Sequence, residues 1–263
     1  MRPATRPAGH SRPALRAARK FWRLPAAEFE RLIALTGEVE QMELKLVVPE
    51  PAGVALGADL AGARPRRVYY LDTEDLALER HGIVVRIRST PRRGDSVIKL
   101  RPVTPGELPR GLRRSKRLTV EVDTMPGAFV CSAALKERLR PQEVERAVAG
   151  RQPLHTLFTK RQLALFEARA PKGVRIDDLL ILGPVKVRKA AVSAGLGRPL
   201  AVEQWTYPDG RRMLEISTRC AAADSVPVTS QLADALRDRE IEPSRRQLTK
   251  TRMTLAYFAG GEA

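Results

Sequence analysis

The sequence predicts an α+β protein. Two observations carry this: about eight short segments alternate apolar and polar residues with the period of a strand, and stripes of helical period are confined to a middle insertion and the C-terminal end. A "PDG" turn signal between the last two strand patterns adds that neighbouring strands run antiparallel.

In chain order, residues 1–25 come first. They hold Arg2, Arg6, Arg12, Arg16, Arg19, Lys20 and Arg23, no acid, and mostly Pro and Ala otherwise, which predicts a disordered basic arm. The arm has no apolar core of a secretory signal, and its prolines spoil a transit-peptide helix. The main domain is expected over residues 26–260. "PAAEFERLIAL" is a short helix candidate. Strands follow at 39–48, 66–72, 83–89, 96–103 and 117–123. Residues 131–172 read as a helical insertion, with "RPQEVERAVAG" stopped by a capping Gly and "TKRQLALFEARAP" stopped by Pro171. Strands resume at 184–192, 199–208 and 211–220, and "SQLADALRDREI" and "SRRQLTKTRMTLAYFA" supply the closing helices.

The chain of 263 residues is 43% hydrophobic, enough for a sizeable core, and its net charge of +17 predicts an acidic partner. Cys131 and Cys220, the only two cysteines, form neither a disulfide framework nor a metal knuckle and suit a reducing cytoplasm. No apolar run approaches the roughly 18 residues of a membrane span, so no membrane partner is expected.

The strands carry an unusual pattern. Side chains at i and i+2 share a face. One face of each strand collects charge: Gln41, Glu43 and Lys45; Arg86 and Arg88; Lys99 and Arg101; Glu121 and Asp123; Lys189; Glu203; then Glu215, Ser217 and Arg219. The other face is apolar, with Leu44, Leu46, Val85, Ile87, Ile98, Leu100, Val120, Val122, Leu214 and Ile216. For any one strand the charged face can simply look at water over an apolar core. Eight strands also suffice to close a barrel, and helices are available to cover an apolar outside. The charges come in strand-sized blocks of one sign. Basic blocks suit phosphate oxygens, acidic blocks a hard divalent cation, and the two together suit phosphoryl chemistry.

With these residues in view, the chain resembles the CYTH superfamily, the triphosphate tunnel metalloenzymes that include class IV adenylyl cyclases, thiamine triphosphatases and inorganic triphosphatases. "QMELK" is similar to the family's E-x-E-x-K opening at Glu43 and Lys45, and "YYLDTEDLALERHGIVVRIR" is the strongest match. "VIKLRP", "VEVD", "LEISTR" and "LTKTRMTLAYF" resemble its lysine strand, two acidic strands and closing helix. The likeness spans about residues 38–258, and the stretch with the insertion resembles bacterial stand-alone members.

The resemblance implies an eight-stranded antiparallel tunnel that binds a triphosphate-containing small molecule with Mg²⁺ or Mn²⁺. Arg86, Arg88, Lys99, Lys189 and Lys250 would hold phosphate, with Arg101 and Arg219 as extras. Glu43, Glu121, Asp123, Glu203 and Glu215 would hold metal, and Lys45 would place the attacking water or terminal phosphoryl group. Three positions depart from the family pattern. Gln41 replaces the first signature Glu, Ser217 a second Glu in the last acidic strand, and Ala191 a second basic residue. Fewer charges predict weaker metal binding and slow turnover.

Hydrolysis of inorganic triphosphate is the leading expectation. The alternatives are cyclisation of ATP in the same tunnel and a low-activity polyphosphate or nucleotide binder. No sequence-specific nucleic-acid reader is expected; contact through the arm would be non-specific and salt-sensitive. His10, His81 and His155 do not cluster, and no catalytic role is expected of them.

Overall fold

The computed structural model describes residues 10–260, apart from 105, 107, 109, 114 and 116. Nine strands form one closed barrel: β1 (Gln41–Val48), β2 (Arg66–Asp72), β3 (Ile83–Ser89), β4 (Gly94–Leu100), β5 (Leu118–Met125), β6 (Ala128–Leu139), β7 (Leu180–Val192), β8 (Leu200–Thr206) and β9 (Arg212–Ala221). The helices are α1 (Arg12–Trp22), α2 (Ala26–Leu35), α3 (Ala52–Ala55), α4 (Ala77–Arg80), α5 (Arg110–Arg113), α6 (Pro141–Val148), α7 (Lys160–Glu167), α8 (Ser225–Arg237) and α9 (Lys250–Phe258). None is long and apolar enough to cross a membrane among the described residues.

The α+β barrel expected from the sequence is present, with two corrections to its sheet. The strand count is nine, not eight, and one junction is parallel. Around the ring β1-β5-β6-β4-β3-β2-β7-β8-β9, every pair is antiparallel except β1–β5. An odd ring cannot alternate direction all the way round, so one parallel seam is a geometric necessity.

The ninth strand is β6, whose residues from 131 onward fall in the expected helical insertion. Its outward residues Cys131, Ala133 and Leu135 are buried in the core. Two of the three are small, so the alternation is faint in sequence. The insertion's helices begin only at Pro141.

The basic arm is also corrected over its described part. Residues 12–22 are helical, Ser11 caps the helix by accepting from the Ala14 amide at 3.4 Å, and α1 packs on α8. Trp22 is the anchor: its indole N–H donates to Thr229 Oγ1 at 2.9 Å, and its carbonyl accepts from the Gly127 amide at 2.7 Å. Basic residues on one face hid the apolar face formed by Ala14, Leu15, Ala18, Phe21 and Trp22. The first nine residues of the expected arm lie outside the described residues.

Two apolar clusters separate inside from outside. The larger lies between the barrel's outer face and the helices; it contains Leu44, Leu46, Ile87, Ile98, Val122, Leu214 and Ile216 from strands, with Trp22, Leu165 and Leu232 from helices. The smaller is made of inward residues from one end of the strands: Val47, Val68, Tyr70, Val84, Met125, Val187, Trp205, Tyr207 and Met213. Leu255 of α9 joins it, and the Tyr257 ring packs at a tilt against Tyr207, with centroids 4.9 Å apart. That layer and α9 close one end of the barrel.

Candidate functional site

Above the apolar layer the lumen is ionic. A cavity of about 510 Å³ is lined by ten cations and five carboxylates. All thirteen residues singled out in the sequence reach it: Glu43, Lys45, Arg86, Arg88, Lys99, Arg101, Glu121, Asp123, Lys189, Glu203, Glu215, Arg219 and Lys250. Strand pleating explains the convergence. Most of the charged residues share the inward parity of an apolar residue on the same strand, as Lys45 does with Val47, Arg86 with Val84, Asp123 with Met125 and Glu215 with Met213, while Lys250 enters from the start of α9.

The carboxylates fall into two groups. Glu43, Glu121 and Asp123 are brought together by the parallel seam, which sets Glu43 beside Asp123 and Gln41 beside Glu121. One ligand oxygen from each lies within 4.8 Å of the others. Three cations interleave them. Lys45 Nζ lies 3.0 Å from Glu43 and 2.8 Å from Asp123. Lys99 Nζ lies 2.7 Å from Asp123 and 3.4 Å from Glu121. Arg219 bridges Glu43 at 3.1 Å and Glu121 at 3.3 Å. In the second group, Glu203 and Glu215 face each other across β8 and β9 and share Lys250, at 2.8 and 2.7 Å; Lys189 also holds Glu203 at 2.9 Å.

Charge state follows from this packing. Burial alone would raise the Glu43 carboxyl, but Lys45, Arg219 and Lys250 outweigh it and hold it down at about 2. Asp123 is likewise buried yet held well below the usual carboxylate range by Lys45 and Lys99. Burial opposes the charge on Lys45 and Lys250, and their carboxylate partners raise both above the ordinary lysine value. These ion pairs favour the ammonium form of both lysines.

On the basic wall, Arg86 Nε is buried with no hydrogen-bond partner among the described residues. Such an orphan donor is costly unless something accepts from it. Its neighbour Arg88 forms a two-pronged contact with Asp95 at 2.8 and 3.0 Å. Burial lowers the pKa of Arg88, and repulsion from Arg86 lowers it further. This wall is short of negative charge.

The three departures from the family pattern are resolved differently. Gln41 lines the cavity, Ser217 is buried opposite Lys45, and Ala191 pairs with Ala201. Sequence reasoning missed Arg66 and Lys136 as lining residues. Arg66 was legible as the residue two before the inward Val68. Lys136 was not, because it sits on the unrecognised β6. His81 and His155 lie outside the cavity; His155 is instead paired with Asp177 at 2.7 Å.

The result is a barrel lumen with a cationic surplus beside a compact carboxylate group. No family model and no curated protein matches the chain. Solved structures do. A candidate adenylyl cyclase from Hippeastrum, described as having a dominant triphosphatase activity, superposes with a TM-score of 0.58 at 16% identity, covering 86% of this chain and 98% of that one. A candidate adenylate cyclase from Bacillus halodurans gives 0.57 at 16% identity, over 81% and 96%. This chain shares its fold with these two structures.

The oxygen-only donor set of Glu43, Glu121 and Asp123 fits a hard divalent cation. Glu203 and Glu215 stand apart from it, tied up by lysines.

Proposed function

We propose that this chain is a divalent-metal-dependent triphosphatase acting on a triphosphate-containing small molecule, with inorganic triphosphate as the first substrate. One observation supports it above others: three buried carboxylates that fit a hard cation share a cavity with a wall of cations, among them Arg86, whose buried Nε has no acceptor among the described residues.

In this reading Glu43, Glu121 and Asp123 would hold Mg²⁺ or Mn²⁺, which supplies Lewis-acid polarisation and charge neutralisation when bound. Arg86, Arg88, Lys99, Lys189 and Lys250 would donate to the phosphate oxygens, with Arg101 and Arg219 beside them. Glu203 and Glu215 orient Lys250. Lys45 would place the attacking water or the terminal phosphoryl group and neutralise charge developing there. The closed apolar end limits how far the substrate enters. A cytoplasmic setting fits the two buried free thiols.

The test is orthophosphate release from inorganic triphosphate with Mg²⁺ or Mn²⁺, lost in Lys99→Ala. No release from triphosphate, thiamine triphosphate or nucleotides refutes the reading. Cyclic AMP formed from ATP, detected by mass spectrometry, would identify a cyclase instead.

A further inference from the structure

Arg219 stands apart from the other cations of the carboxylate group. It lies directly opposite Glu43, across β9 and β1, and its fork spans two acids. Nη2 is 3.1 Å from Glu43 Oε2, and Nε is 3.3 Å from Glu121 Oε2. Lys45 and Lys99 are sunk in the group, 13% and 17% exposed. The Arg219 side chain is 58% exposed over acids that are themselves 11% and 8% exposed. Met213 of the same strand belongs to the closed apolar end, so Arg219 sits toward the open one. Of the three cations, it is the one with room to leave.

The charge count makes this placement matter. Glu43, Glu121 and Asp123 carry three negative charges, and Lys45, Lys99 and Arg219 carry three positive ones. Gln41, beside Glu121 across the parallel seam, adds none. The group is neutral as it stands, and a neutral group offers a dication no net Coulomb attraction. Its oxygens are taken as well. Cations contact both oxygens of Asp123, both of Glu121 and Oε2 of Glu43. A guanidinium forked across Glu43 and Glu121 fills the position from which a divalent cation would bridge them.

Two changes would relieve this competition. One is removal of the guanidinium. The other is an anion in the lumen, which offsets the added charge of a dication and gives the exposed guanidinium other oxygens to hold. Lys45 and Lys99 are too deeply set among the acids to follow as freely.

We propose that Arg219 is an internal rival of the divalent cation for Glu43 and Glu121, so that metal binds firmly only together with a phosphate anion that draws the guanidinium away. The proposal rests on the reading of these acids as a metal site beside a phosphate-binding lumen, and it makes the two ligands depend on each other. Such linkage is reciprocal: the metal tightens the anion by the factor with which the anion tightens the metal.

The test is titration calorimetry of Mn²⁺ into the full chain, alone and with inorganic orthophosphate present. In the unaltered protein, orthophosphate should tighten Mn²⁺ binding at least about fivefold. Arg219→Gln should bind Mn²⁺ alone at least about tenfold more tightly than the unaltered protein, and should gain less from orthophosphate. Direct contact between metal and anion contributes equally to both proteins, so the difference in gain belongs to Arg219. A purely structural role predicts the opposite, weaker metal binding once Arg219 is gone. Arg219→Lys keeps the charge but cannot fork across both acids, and should fall between the two. Equal or weaker Mn²⁺ binding by Arg219→Gln overturns the rivalry. An equal gain from orthophosphate in both proteins overturns the coupling. Either result, with Mn²⁺ still bound by the unaltered protein, leaves the metal-site reading standing. Mn²⁺ bound by neither protein, with or without orthophosphate, overturns that reading and this proposal with it.

Discussion

Lys45→Met removes one positive charge from the centre of the carboxylate group and keeps nearly the same side-chain volume. Lys45 is 13% exposed and its partners Glu43 and Asp123 are each 11% exposed, so solvent screens the pairs little. Breaking a buried pair from one side costs about 3–5 kcal/mol, because a charge is left without compensation. Here the loss is partial. Asp123 keeps Lys99 at 2.7 Å, and Glu43 keeps Arg219 at 3.1 Å. The expected destabilisation at neutral pH is therefore about 2–3 kcal/mol.

The assay is urea unfolding as a function of pH, with and without Mn²⁺. In the unaltered protein the Glu43 carboxyl is depressed from 4.5 to about 2. Its stabilisation is therefore fully present above the unfolded value of 4.5 and is lost as pH falls toward 2. In Lys45→Met the carboxyls take up protons sooner and shed their penalty. The gap between the two proteins should narrow as pH falls through about 4. Mn²⁺ should stabilise the variant more than the parent, since a divalent cation can replace the missing ammonium. A loss under about 0.5 kcal/mol at neutral pH, or a gap that does not change with pH, would refute the claim that these carboxylates are desolvated and held by lysine.

Asp123→Asn should lower triphosphate turnover by about a hundredfold or more and weaken Mn²⁺ binding measured by calorimetry without substrate. Trp22→Ala should cost about 3–5 kcal/mol in urea unfolding, because it empties a buried site and leaves Thr229 without its indole donor. Gly82→Ala should cost about 3 kcal/mol: Gly82 sits at φ +70°, and a Cβ there would collide with the Arg101 carbonyl oxygen. By pushing on Arg101 it should also raise KM for triphosphate, read in the same orthophosphate assay.

Much of the site was legible because a strand's period is so strict. Once Val47, Val84 or Met213 is inward, Lys45, Arg86 and Glu215 must be as well, and the ionic rows could be read without knowing which strands touch. Pairing between distant segments was not legible. Nothing local in "QMELK" or "VEVD" says that β1 and β5 run side by side in parallel, yet that seam gathers Glu43, Glu121 and Asp123. The split of the five acids into a group of three and a lysine-bound pair depends on that seam. The strand β6 escaped because Ala133 and Cys131 give weak alternation, and Lys136 escaped with it. The helix α1 escaped because arginine content outweighed an apolar face that becomes meaningful only once α8 is there to receive it.

The layer of Tyr70, Trp205 and Tyr207 beneath α9 makes the lumen a cul-de-sac. Whatever enters must leave by the doorway it came through. An anion bound there would set its inner end against the aromatic layer and its outer end toward the mouth, so the direction of approach fixes which end meets the carboxylate group.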